Sequence, residues 1–83
     1  MSTTMRAKLI INRIEQHTSA ETLHFNAVCK SGAYPADGAD EDNTFAKFSP
    51  SASMSLQIAN PALIGQFKVG EKYYVDFTPV QAG

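Results

Sequence analysis

Eighty-three residues with seven Lys and Arg, eight Asp and Glu and a net charge of −1 suit a single domain, 1–83, with a thin core. At 43% apolar and 18% charged the composition argues against global disorder, and it lacks the dense basic footprint of a protein that binds nucleic acid by neutralising phosphates. No apolar run approaches the roughly 18 residues of a membrane span, and residues 1–4 lack the apolar stretch of a signal peptide, so no membrane contact is expected.

Residues 5–16 open as an alternating strand, with Met5, Ala7, Leu9 and Ile11 on one face and Arg6, Lys8 and Asn12 on the other. The apolar parity then jumps to Ile14, which a β-bulge or bend at Asn12 and Arg13 explains. A helical reading through Ala7, Ile10, Ile11 and Ile14 competes, but no cap precedes it and isoleucine favours strands. Residues 17–21 read as a turn and 22–30 as a second strand with Leu23, Phe25, Ala27 and Cys29 inward, giving an antiparallel hairpin. On that parity the lone Cys29 is expected to be a small buried hydrophobe, not a reactive or metal-binding thiol.

Residues 31–43 carry Gly32, Pro35, Gly38 and the acids Asp37, Asp40, Glu41 and Asp42, and are expected to form a long surface loop. Outside it, seven cations face only Glu15, Glu21, Glu71 and Asp76, so the body is mildly basic. The loop fits a solvated segment, a Ca²⁺ ligand set or a contact for a basic partner; it lacks EF-hand spacing and the terminal bidentate Glu, and no metal is assigned. Residues 44–48 resume strand character through Phe45 and Phe48, with a bulge or the Ser49-Pro50 turn absorbing their mismatched parity. In residues 51–58, Ser51, Ser53, Ser55 and Gln57 alternate with Ala52, Met54, Leu56 and Ile58. One face is core; the other is smooth and uncharged, either solvated surface or a flat docking face.

Asn60 before Pro61 is a helix-start signal and Gly65 a stop, predicting one short helical turn at 61–65 that plugs an end of the sheet. A turn at 69–72 leads to a last strand with Tyr73, Val75 and Phe77 inward and Tyr74, Asp76 and Thr78 outward, ending at Pro79 before a loose tail, 80–83. The sum is a mainly β fold: a small antiparallel five-stranded barrel or sandwich of OB or SH3-like size.

Chemistry-bearing motifs are sparse. His17 and His24 are the only histidines, and no phosphate loop, paired metal cysteines or His-x-x-x-His spacing occurs, so no catalytic, cofactor or metal residue is assigned and an enzyme is not expected. The aromatics Phe25, Phe45, Phe48, Tyr73, Tyr74 and Phe77 fit either a core or an OB-type stacking platform for single-stranded nucleic acid, with core preferred. Tyr74 alone is expected to show a ring face to a partner. The candidate contact residues are therefore Asp37, Asp40, Glu41, Asp42, Ser51, Ser53, Ser55, Gln57 and Tyr74.

The order of Phe45, Pro50-Ser51, Ser53, Asn60-Pro61, Phe67, Gly70 and the run from Tyr73 to Pro79 resembles a group of small tailed-bacteriophage proteins with no assigned activity. The first half matches them only in type, and Ser49-Pro-Ser-Ala52 stands where they often have Thr-Pro-Ser-Gly. The resemblance implies a β-rich phage protein without enzymatic motifs, located in the virion or the host cytoplasm and able to oligomerise. It would be a virion accessory, such as a capsid decoration or head-stabilising protein touching other phage structural proteins. Alternatively it would be an intracellular binder that blocks or sequesters a host protein, its acidic loop mimicking nucleic-acid charge.

Overall fold

Strand β1 (Met5–Gln16) is the axis of a single antiparallel sheet in the computed structural model, which describes residues 5–81. Its companions are β2 (Glu21–Ala27), β3 (Ser53–Ile58) and β4 (Lys72–Phe77), in the order β3-β2-β1-β4. The first two strands form the expected hairpin, closed where the His17 N–H donates to the Ala20 carbonyl at 2.8 Å. The bulge is also where the parity jump placed it: Ile11 pairs with Phe25 and Arg13 with His24, leaving Asn12 as the extra residue. This slip returns Ile14, opposite Leu23, to the apolar face.

β1 serves two partners along different halves. Leu9 to Gln16 pair with β2, whereas Met5 to Ile10 pair with β4. On the β2 side the first residues of β1 are covered instead by the loop after β2. Thr44 exchanges bonds with the Arg6 backbone, its N–H donating to the Arg6 carbonyl at 2.9 Å and its hydroxyl accepting the Arg6 N–H at 2.9 Å.

The apolar face holds Ala7, Leu9, Ile11, Leu23, Phe25 and Ile58, with Ile14, Met54, Tyr73 and Val75 at its margins. Phe45 and Ala52, before and at the approach to β3, and Ile64 and Phe67, after it, lie on this face as partial cover. The molecule is accordingly thin, 48 × 36 × 16 Å, with a radius of gyration of 15.0 Å against about 12 Å for a compact domain of this length.

Several expectations are corrected. The described residues hold four strands, a curled open sheet and no closed five-stranded barrel. The segment expected as a further strand, 44–48, turns back on itself, because the Ala46 N–H bonds the Asn43 carbonyl at 3.1 Å and Phe48 takes a positive φ of 63°. The 61–65 segment is a run of turns, not a helical turn. Asn60 Oδ1 does accept the Ala62 N–H at 3.0 Å, but Gly65, at φ 86°, ends the chain's winding before a helical hydrogen-bond pattern is established. Its plugging role survives through Ile64 and Phe67. Cys29 is exposed because β2 ends at Ala27, so the alternation that would have buried it has stopped. Leu56 and Phe77, both at inward parity, are each 47% exposed because they lie on the two edge strands, where only one neighbour flanks them.

Candidate functional site

The acidic loop is fastened to the sheet by a buried amide. Asn43, fully buried, accepts the Lys8 N–H at 2.8 Å through Oδ1, and its Nδ2 donates to the Val28 carbonyl at 2.7 Å and to Asp40 Oδ2 at 3.2 Å. Asp40, 4% exposed, also accepts the N–H groups of Asp42 and Asn43 at 3.0 and 3.1 Å, and more distantly the Lys30 N–H and the Tyr34 hydroxyl. Around this centre Asp42 meets Lys8 Nζ at 3.3 Å, and Glu41 meets Lys30 Nζ at 3.2 Å. Asp37 stays exposed and accepts the Ala39 N–H at 3.1 Å. Of the acids expected to form a solvated loop, a Ca²⁺ ligand set or a contact for a basic partner, only Asp37 and the outer part of Glu41 are openly presented to solvent. The oxygens of Asp40 face N–H and O–H donors that a cation would have to displace, and among the described residues no group of three His, Cys, Asp or Glu side chains converges as a metal site.

Tyr74 belongs to the same network. Its hydroxyl donates to Asp42 at 2.9 Å, its ring carries the Arg6 guanidinium 4.5 Å from the centroid, and Arg6 in turn makes a forked pair with Asp76 at 2.6 and 3.1 Å. The ring remains 53% exposed, so it can meet a partner, but its polar end is already engaged.

Ser51, before β3, and Ser53, Ser55 and Gln57 within it all lie exposed, as a row of uncharged polar groups. On the apolar side, Met5, Ala7, Leu9, Phe45, Ala52, Met54 and Phe77 line an open groove of about 490 Å³ with no charged residue in its wall. It exists because the loop cover of the sheet stops short of the Met5–Phe77 end, leaving those two side chains 40% and 47% exposed.

Two features escaped the sequence. On the outer face, His24 Nε2 lies 2.6 Å from Glu15 Oε1, with an Arg13 nitrogen 3.4 Å from the same oxygen; the His24 contact and the Arg13 charge hold the Glu15 carboxyl below its ordinary value. Ser55 is paired across from His24 in the β2–β3 register. Only the bulge brings Arg13 beside His24, and no residue pattern announces that pairing. The second feature is Glu21, 1% exposed, which accepts from Gln16 Nε2 at 3.1 Å and from the Gly65 N–H at 3.4 Å, tying the 61–65 turns to the sheet.

The loop anchor makes stability sensitive to acid. Burial alone raises the Asp40 pKa, but the Asn43 amide and the N–H groups of Asp42, Lys30 and Asn43 together outweigh it, and the net position is below the ordinary 3.8. A carboxyl depressed in the folded state contributes stability that is fully present above its unfolded value and is lost as pH falls through the folded one. The urea midpoint is therefore expected to hold steady near neutrality and drop below pH ~4. In Asp40→Asn the drop is shallower, and an identical acid profile in that variant would rule out the loop anchor as its source.

No protein-family model, curated protein or solved structure matches the chain.

Proposed function

We propose that the chain is a non-enzymatic accessory protein of a tailed bacteriophage that works by protein–protein contact, as a virion component such as a capsid decoration or head-stabilising protein. The observation that supports this reading best is the uncharged groove between Met5, Phe45, Met54 and Phe77, an apolar surface open to an apolar segment of a neighbouring shell protein. Ser51 and Ser53 on its rim let that segment approach without desolvating a charge. Repetition over many copies on a shell would offset a weak individual contact. The reading as an intracellular mimic of nucleic-acid charge is less favoured, since Lys8 and Lys30 already neutralise Asp42 and Glu41.

Mass spectrometry of purified particles tests the proposal. The protein is expected in virions at a level comparable to a shell subunit, and Ala52→Asp, which puts a charge into the groove wall, is expected to deplete it at least about tenfold, a loss of ~1.4 kcal/mol of contact. Absence of the wild-type protein from particles refutes the virion role, and undiminished incorporation of the variant refutes the groove as the contact.

A further inference from the structure

We infer that β3 is the seat of a two-fold dimer, in which a second copy of the chain continues the sheet by pairing its own β3 antiparallel to the first. The inference does not depend on what enters the groove.

β3 is an edge: among the described residues it pairs with β2 alone. Because the Ala27 N–H donates to the Ala52 carbonyl at 3.1 Å, the alternation of an antiparallel ladder makes Phe25 with Met54, Leu23 with Leu56 and Glu21 with Ile58 the pairs that exchange hydrogen bonds. The N–H and C=O groups of Ser53, Ser55 and Gln57 consequently point away from β2. Edges of this kind are normally blunted by a charge, a proline or a bulge, and β3 has none of the three. The opposite edge, β4, carries Lys72 and Asp76.

An uncharged edge selects an uncharged strand, since a charged side chain laid along it would lose water and find no counter-ion. Of the four strands among the described residues, β3 is the only one without a charged residue. A second β3 is therefore the electrostatically matched occupant, and it is present wherever the protein is.

The free groups also fix a register. A two-fold axis at Ser55 sets Ser55 against its own mate and Ser53 against the mate's Gln57, so all three outward-facing residues of each strand find partners, about six hydrogen bonds in all. The intervening residues then meet on the apolar side, Met54 against the mate's Leu56. That contact covers the leucine side chain that the single copy leaves 47% exposed. A shift by two residues either way gives up a doubly bonded pair and separates Met54 from Leu56. The chain exposes 5826 Å² against roughly 4,900 Å² for a compact 9.0 kDa monomer, so it keeps more surface open than a closed domain of its mass.

Sedimentation of the intact chain over a concentration series provides the first reading. A particle of twice 9.0 kDa is expected, converting to 9.0 kDa in Ser55→Lys, which sets like charges together on the axis but leaves the circular dichroism of the strands unchanged. The second reading keeps the side chain small. In a Cys29→Ser background, Ser55→Cys is expected to form a disulfide-linked dimer on mild oxidation, because paired residues of this type lie ~5.5 Å apart at Cα. Ser53→Cys is expected to remain uncrosslinked, its mate's equivalent lying about 13 Å away along the strand. A wild-type chain that stays at 9.0 kDa up to about 1 mM, a Ser55→Lys variant that still dimerises, or crosslinking through residue 53 in preference to 55 each overturns the inference.

Discussion

Replacing Asn43 with Ala is expected to lower the stability of the domain by about 3 kcal/mol, a large share of the roughly 4–12 kcal/mol available to a chain of this length. The estimate follows from what the amide leaves behind. Without it the Val28 carbonyl, the Lys8 N–H and one oxygen of Asp40 lose a partner together, around a side chain that is itself fully buried. Each buried polar group left unsatisfied costs about 1–3 kcal/mol, and partial rehydration of the loosened loop recovers some of that. Urea titration gives the magnitude, and a loss below about 1 kcal/mol would show that the loop is not held by this residue.

Leu23→Ala is expected to be comparably severe, about 3–4 kcal/mol, because Leu23 is fully buried in β2 between Ile14 on one side and Leu56 on the other. Phe77→Ala is the informative contrast. A phenylalanine ring at inward parity reads as core, yet this one is 47% exposed at the open end of the groove, and its removal is expected to cost only about 1–2 kcal/mol. Thermal unfolding of the two variants side by side checks the ranking; equal effects would mean that the groove is filled or closed in solution.

The difference between those two positions also explains how much was legible in advance. Alternation and bulge chemistry are local, so β1, the hairpin to β2, the slip at Asn12 and the final strand could all be read from neighbouring residues. Burial on an edge strand is not local: Leu56 and Phe77 have the parity of core residues, and only the strand order β3-β2-β1-β4 reveals that each lacks a flanking neighbour. The same holds for the acidic loop. Four acids in six residues look like a solvated charge, because most of the groups that capture them lie outside the loop, Lys30 at its start and Lys8 and Tyr74 at distant points of the chain. Of the candidate contacts, the row from Ser51 to Gln57 lies exposed, as alternation predicts, whereas Asp40 is an internal anchor.

One further consequence lies in the way β1 divides its length. Within β1 only Leu9 and Ile10 have strand partners on both sides, so its two ladders, with β2 and with β4, overlap by two residues. In polymer terms the ladders are unequal. The hairpin ladder closes with Gln16 against Glu21, five positions on, whereas the other must bring Lys72 to Ile10, sixty-two positions away. The second closure is dearer in chain entropy by about 2 kcal/mol, and the order of the first reaches it through that overlap and through the acidic loop, where Asn43 joins Lys8 to Val28 and Asp42 accepts the Tyr74 hydroxyl. The longer closure therefore depends on the loop anchor as well as on the sheet.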